Sequence, residues 1–351
     1  MTDPAGPDLV PPDLGRLRAD LTGAARWYRE RLLSDRPPLA VATLADRGLV
    51  DLAADTPPGR RWQLGYAPAS GGSNEVLEHL RGSGFTDREL VDAGVAVPGR
   101  HGAVIGALRH RLVVPLIDSG VDGGGVVGFT ARQLSDENPA VPKWVNTATT
   151  AVYRKGEHLL GLAQQADQLT AGRGWVVLVE GAVDAIAVGL AGHIGVAAGG
   201  TQLTAAHAAQ LRNAAAVTGG RLLVAYDGDQ PGREATLRAA DLLGGLNAGV
   251  VRLPEGRDPA DVLVAAGGRG LRRALGVTVP LVDAAVTARL DRWTAHAGNP
   301  VALVDAVRDV AGLVAAAPAS ARARLVGLVA GQLGLPADLV TATLLDAAAP
   351  S

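Results

Sequence analysis

Between Gly174 and Pro254 short apolar runs alternate with stretches whose apolar positions recur at helical spacing. WVVLVE (175–180) leads through Gly181 into a helix over 182–191, and GVAAGG (195–200) leads into a helix over 204–217. RLLVAYD (221–227) leads through GDQPG into a helix over 233–243, and VVRLP (250–254) is the next strand. A helical crossover carries the chain back to the end from which it started, so strands joined this way pair in parallel. The segment is therefore constrained to an α/β fold with a doubly wound parallel sheet and short loops.

The flanks follow other rules. Residues 1–17 are proline-rich and acidic and read as a disordered tail. Leu17, Leu21, Ala24, Ala25 and Tyr28 fall on one face of a helix over 17–33, and a second helix over 40–46 stops at Gly48. RWQLGYAP (61–68) reads as extended, with helices over 73–81 and 87–93 beyond it. RLVVPLI (111–117) and GVVGFTARQL (125–134), separated by a glycine-rich turn, have the pattern of a hairpin. Past about residue 280 the chain is helical, with two or three helices over 281–347 broken at Pro300, Pro318 and Pro336. The expected architecture is α/β (α+β overall): a parallel βαβ sheet over 171–270, an N-terminal mixed α/β subdomain over 18–170, and a C-terminal helical bundle over 271–351.

Composition narrows the chemistry. Cysteine is absent, which excludes disulfides and any cysteine-ligated zinc ribbon, so no zinc is expected and a metal must be held by oxygen or imidazole. No uninterrupted apolar run reaches the roughly 18 residues of a membrane span, and the start lacks a signal-peptide pattern; a cytoplasmic protein fits. The net charge of −2 carries no whole-chain nucleic-acid signal. Its distribution does: residues 97–155 hold seven basic side chains against four acidic ones. Lys143 and Lys155 are the only lysines among 33 cationic residues, which marks them as positions wanting a compact, flexible point charge.

The main chemical signal is a set of carboxylates at strand ends. Glu180 closes the first strand, Asp184 lies one helical turn on, Asp227 closes a later strand and Asp229 follows two residues beyond. In open α/β sheets functional groups gather at the carboxyl ends of strands. Positions i and i+2 of an extended segment face one side, so Asp227 and Asp229 can share a site. Collecting carboxylates there costs repulsion that a hard divalent cation, Mg²⁺ or Mn²⁺, relieves. An acid after a strand also serves as a helix N-cap, and Asp229, just ahead of a helix, suits that role too. Gly199-Gly200-Thr201 reads equally as a phosphate-approaching loop and as a plain strand-to-helix turn.

VEGAVDAIAV (179–188) followed by AYDGDQPGREA (225–235) resembles the Toprim domain shared by bacterial primases, topoisomerases and some nucleases. The resemblance implies that Glu180, Asp227 and Asp229 hold metal ions. RLPEGRDPADVL (252–263) is similar to a primase segment and implicates Asp258; many primases carry a second acid after that proline, where this chain has Ala260, with Asp261 one position later. The likeness extends beyond Toprim and selects the bacterial-type DNA primase core. LGYAP (64–68), LRHRLVVPLIDSG (108–120), VGFTAR (127–132), VPKWVNT (141–147) and VYRKGEHLLGL (152–162) resemble successive primase segments, and RLVGLVAGQLGLPADLV (324–340) resembles the terminal helices. Trp144 and Leu160 stand where tyrosine is usual.

What the resemblance implies is a primase catalytic core that builds short RNA primers on single-stranded DNA from ribonucleoside triphosphates, with two or more Mg²⁺ or Mn²⁺ ions. Glu180, Asp227, Asp229, Asp184 and Asp258 are the implied catalytic acids. Arg109 and Arg111, expected on alternate positions of one strand, are implied template or nucleotide contacts, with Arg132, Lys143, Asn146 and Lys155. The family's zinc-binding domain has no counterpart in a cysteine-free chain, so a replicative helicase or a separate zinc-binding protein is an expected partner. Two other readings stand beside this one: a weakly active or inactive scaffold that binds single-stranded DNA, and another Toprim enzyme such as a nuclease. A topoisomerase needs a tyrosine nucleophile, and Tyr28, Tyr66, Tyr153 and Tyr226 lie in no recognisable breakage motif.

Overall fold

The computed structural model describes residues 11–69, 74–118, 120, 124–134, 140–227, 229–293 and 299–348. It divides into two compact units, one ending at His158 and the other starting at Leu159.

The first unit contains α1 (Leu14–Asp35), α2 (Pro38–Asp46), α3 (Pro57–Trp62), β1 (Gly65–Ala67), α4 (Glu75–Gly82), α5 (Asp87–Asp92), β2 (Ala96–Pro98), β3 (Val104–Gly106), β4 (Arg111–Asp118), β5 (Gly125–Gln133) and β6 (Trp144–Asn146). Helix α1 starts earlier than its apolar periodicity suggests, because the Asp13 carboxylate caps it by accepting from the Gly15 and Arg16 N–H groups at 2.9 and 3.2 Å. Residues 14–17 are thus helix and not tail, while 1–10 lie outside the described residues. RWQLGYAP is only partly extended. Thr56 caps a turn begun by Pro57 and Pro58, so Arg61 and Trp62 are helical, and the chain becomes a strand only at Gly65.

The expected hairpin is β4 antiparallel to β5, the centre of a four-stranded sheet of order β1-β4-β5-β6. Leu17, Leu21, Ala24 and Tyr28 of α1 share a core with Val113, Phe129 and Ala131 of the hairpin. The Tyr28 and Phe129 rings meet edge to face at 5.6 Å.

The second unit contains α6 (Ala166–Thr170), β7 (Val176–Val179), α7 (Ala182–Leu190), β8 (Ile194–Ala197), α8 (Ala205–Val217), β9 (Leu222–Ala225), α9 (Gln230–Leu243), β10 (Ala248–Val251), α10 (Pro259–Leu275), β11 (Thr278–Pro280), α11 (Leu281–Asp291), α12 (Pro300–Ala316), α13 (Ala319–Leu333) and α14 (Ala337–Ala348). Its five-stranded sheet has the order β11-β10-β9-β7-β8. β7, β8, β9 and β10 run parallel as expected, and β11 adds an antiparallel edge. The prolines at 300, 318 and 336 make three breaks and therefore four helices from α11 to α14, one more than the sequence reading allowed. No single described helix is long and apolar enough to cross a membrane.

The boundary between units falls before the expected residue 170, for a long-range reason. Leu160 forms a bridge with Ala197 at the outer edge of β8, and the buried Gln165 amide bonds the carbonyl and N–H of Gly195 on the same strand. This segment covers a sheet edge that would otherwise present unpaired backbone groups.

Candidate active site

Val179 and Ala225 lie opposite each other at the ends of β7 and β9, so the following residues emerge together at the carboxyl edge of the sheet. Glu180 follows directly and is exposed at its residue level. Partial desolvation first, and then the charges of Asp227 and Asp229, hold its carboxyl above the usual range. The three acids therefore share one electrostatic environment.

Local structure explains how each acid is placed. Asp229 is the N-cap of α9, its Oδ1 accepting from the Gly232 N–H at 2.8 Å. A Cβ on Gly232 would lie 2.0 Å from the Asp227 carbonyl oxygen, so only glycine permits the turn that follows the two aspartates. Cap and site roles coincide at Asp229.

Asp184, in the first turn of α7, is buried, and its Oδ1 accepts from the Ala260 N–H at 3.3 Å. It ties the βα turn after β7 to the start of α10. Asp258 caps α10, accepting from the Asp261 N–H at 2.6 Å, and Asp261 answers from the third position of the same capping box. Ala260 itself is fully buried beside Asp184, where a carboxylate would meet a second acid away from water. Among the described residues no group of three His, Asp or Glu side chains converges in ion-binding geometry. The donors are nonetheless all hard oxygens, and the repulsion that raises Glu180 is what a divalent cation would relieve. In that chemical sense the residues fit the metal.

A pocket of about 320 Å³ opens beside Glu180. Gly200, Thr201 and Gln202 from the loop after β8, Tyr226 after β9, and Arg238 of α9 supply its polar lining. Gly199 and Gly200 both take left-handed backbone, with φ of 66° and 76°, which turns the loop toward this pocket instead of directly into α8. Burial, reinforced by the Glu180 charge, keeps the Tyr226 phenol protonated far above its ordinary range. Tyr226, expected at most as a nucleophile, and Arg238, not among the expected site residues, both line this pocket. The spacing of Pro231, Ala235 and Arg238 along one face of α9 was the available signal.

The implied nucleotide contacts lie in the first unit. His110 adopts left-handed backbone, φ 51°, and β4 begins only at Arg111. Arg109 and Arg111 therefore do not alternate along one strand, which corrects that expectation. Arg109 is exposed, whereas Arg111 is buried against the sheet, its Nη1 3.4 Å from the carbonyls of Ala131 and Lys143. Burial lowers the Arg111 pKa. Lys143, exposed, precedes β6, and Asn146 ends it, opposite Thr130, while Arg132 pairs with Trp144 in the same ladder. Asn146 Oδ1 is buried without a hydrogen-bond partner, and the residue lines a pocket of about 770 Å³. Lys155 is exposed in the turn that follows.

Comparison with known proteins accounts for both units. Residues 27–166 match the family described as DNA primase catalytic core, N-terminal domain, and residues 177–263 match the Toprim-like family. A DNA primase of Streptomyces coelicolor is 35% identical over 297 residues, covering 82% of this chain and 44% of that protein. The crystal structure of the RNA polymerase domain of Mycobacterium tuberculosis primase DnaG is 31% identical with a TM-score of 0.74, and covers 91% of this chain and 99% of that one. A second structure of that domain, in complex with a double-stranded DNA oligomer with a 6-nucleotide overhang, is 30% identical with a TM-score of 0.72, covering 92% and 99%. The chain spans under half the length of the curated relatives it matches. The Toprim match carries with it the use of divalent metal in general terms. Both halves, in the same order and with the same fold, place the chain in the family of bacterial DNA primase catalytic cores.

Proposed function

We propose that this chain is a DNA-directed RNA polymerase that lays down short RNA primers on single-stranded DNA during replication in the cytoplasm. The observation that carries the reading is the electrostatic coupling of Glu180 to Asp227 and Asp229 at the carboxyl edge of the Toprim sheet. The DNA complex of the Mycobacterium tuberculosis domain supports DNA as the template. Mg²⁺ or Mn²⁺, as two or more ions held by Glu180, Asp227 and Asp229, would supply the positive charge that eases attack on a triphosphate.

The remaining work falls on side chains. Lys143, Lys155, Arg109 and Arg132 offset the charge of the triphosphate and the template backbone, and Arg111, buried against the Ala131 and Lys143 carbonyls, braces the strands that carry them. Asn146 Oδ1, buried and without a partner, accepts from a sugar hydroxyl or a base amino group. Asp184 and Asp258 hold the turns that position the metal-binding acids, through the Ala260 and Asp261 N–H groups. A replicative helicase or a zinc-binding protein acting in trans would supply template loading and site choice.

The test is labelled ribonucleotide incorporation on a mixed single-stranded template. Short RNA from the wild type, lost in Asp227→Ala, supports the proposal. One observation favours a second reading, that of a scaffold with weakened chemistry: Ala260 and Asp261 leave no spare acid at the start of α10. A scaffold would bind single-stranded DNA identically with and without Mn²⁺ and would make no product.

A further inference from the structure

The amino-terminal edge of the Toprim sheet, opposite the carboxylates, carries a stack that the polymerase reading does not use. Trp175 precedes β7, His193 precedes β8 and Arg221 precedes β9, so the parallel sheet brings all three to one edge. The Trp175 and His193 rings stack at 4.8 Å with an interplanar angle of 16°. The Arg221 guanidinium lies over the Trp175 ring, 3.9 Å from its centroid. A fourth member arrives from α10. Gly267, at φ 64°, kinks that helix, and beyond the kink Arg272 Nε donates to the Ala191 carbonyl at 2.8 Å, beside His193.

We infer that this arginine–tryptophan–histidine stack is a second anchorage for nucleic acid, gripping the sugar–phosphate backbone of a strand without reading its bases. Trp175 stacks on the His193 imidazole and lies under the Arg221 guanidinium, so protein groups already occupy its ring and it offers no open platform for a base. Its effect is to hold Arg221 in a fixed plane with N–H groups at the edge, the geometry that suits phosphate oxygens.

The charges that act on the His193 ring are those of Arg272 and Arg221. Arg173, Arg221, Arg269, Arg272 and Arg273 have no carboxylate partner among the described residues, whereas Arg60, Arg81 and Arg292 are paired. Arg221 and Arg272, both acting on the His193 ring without a carboxylate partner among the described residues, carry positive charge that an anion would offset.

His193 supplies an independent sign of a missing anion. The Trp175 N–H donates to its Nδ1 at 3.1 Å, so the neutral ring carries its proton on Nε2. That Nε2 is buried and has no partner, and the residue is only 6% exposed. Burial, followed by the charges of Arg272 and Arg221, lowers the His193 pKa to about 4, so the ring stays a neutral donor at physiological pH. A phosphate oxygen seated between the two guanidiniums would shift Arg272 and accept from that N–H.

The inference takes nucleic acid as the polyanion from the proposed function. Its test reads binding and not synthesis, so the two can fail separately. Anisotropy of a labelled oligo-dT 30-mer is titrated with the wild-type chain, Asp227→Ala, and an Arg221→Gln/Arg272→Gln double variant across a salt series. Each phosphate contact on a single strand contributes about 0.7 to the salt slope. Losing two should flatten the slope by about 1.4 and weaken binding about 25-fold at 0.1 M salt relative to 1 M. Asp227→Ala should bind like the wild type. Equal affinity and slope in the double variant overturn the inference, as does a variant that loses only its grip on an oligo-aspartate peptide, which would mark a protein-binding patch. If the double variant does not fold, Arg221→Gln alone decides the matter, since Arg221 has no hydrogen bond to lose among the described residues; half the slope change is then expected. A wild type that binds DNA through this patch but makes no RNA would refute the polymerase reading and leave the anchorage standing.

Discussion

Asp20 lies on the buried face of α1 with no exposed surface, and both its carboxylate oxygens are buried without a hydrogen-bond partner. Burial first, and then the charge of Glu89, push its pKa up from 3.8 to about 7, against the opposing pull of Arg16. The folded state thus holds this proton more tightly than the unfolded chain. Below about pH 4 both states are protonated and nothing is lost. Between pH 4 and 7 the unfolded chain ionises first and stability falls, and above about pH 7 the full penalty is present. At 1.36 kcal/mol per pH unit, the displacement amounts to about 4 kcal/mol at pH 8 and about 1 kcal/mol at pH 4.5. Asp20→Asn has nearly the same shape and no charge, and leaves an unsatisfied amide that costs about 1–3 kcal/mol at either pH. The variant should therefore be more stable than the wild type by about 1–3 kcal/mol at pH 8 and equal or less stable at pH 4.5. Urea unfolding of both proteins at the two pH values measures the difference, because the titrating groups that do not interact with Asp20 cancel. A stability difference that does not change by at least about 2 kcal/mol between the two pH values would refute the reasoning.

Other consequences are equally open to measurement. Asp258→Ala removes the cap of α10 and half of its capping box, and should cost about 1 kcal/mol in urea unfolding. Gly195→Ala would place a Cβ 2.0 Å from the Ala185 carbonyl oxygen, and should abolish soluble expression or lower the thermal midpoint severely. Lys143→Ala and Asn146→Ala should leave stability within about 0.5 kcal/mol, since Lys143 is exposed and Asn146 Oδ1 has no partner to lose. Both should weaken ribonucleotide binding in equilibrium dialysis.

Much of the second unit was legible because its strands are buried on both faces and read as apolar runs, as at Val176–Val179 and Leu222–Ala225. The carboxylates at their ends could be found for the same reason: once a strand is located, its exit is located. Helix α10 and strand β11 were harder. Gly267 and Gly268 interrupt the periodicity of the one, and the other has only three residues. Asp229 and Asp258 each fit a cap and a site at once, and only the N–H donors at Gly232 and Asp261 show that the caps are real. Histidine takes left-handed backbone more often than most residues but still only occasionally, so residue type signals the break at His110 too weakly to read the register of Arg109 against Arg111. The pocket beside Glu180 and the Trp175 stack draw on residues from separate strands and helices, and such convergence is invisible until the sheet order is known.

The central claim is that Glu180, Asp227 and Asp229 form the centre of a template-directed ribonucleotide polymerase. Extension of an RNA primer already annealed to a DNA template isolates that chemistry from initiation. With Mg²⁺ or Mn²⁺ and a ribonucleotide complementary to the next template base, the wild type should add a single residue, and a mismatched ribonucleotide should not be added. Asp227→Ala and Glu180→Gln should lose the activity while binding the primed template as before. No extension by the wild type at high protein concentration, or extension that survives Asp227→Ala, would contradict the account.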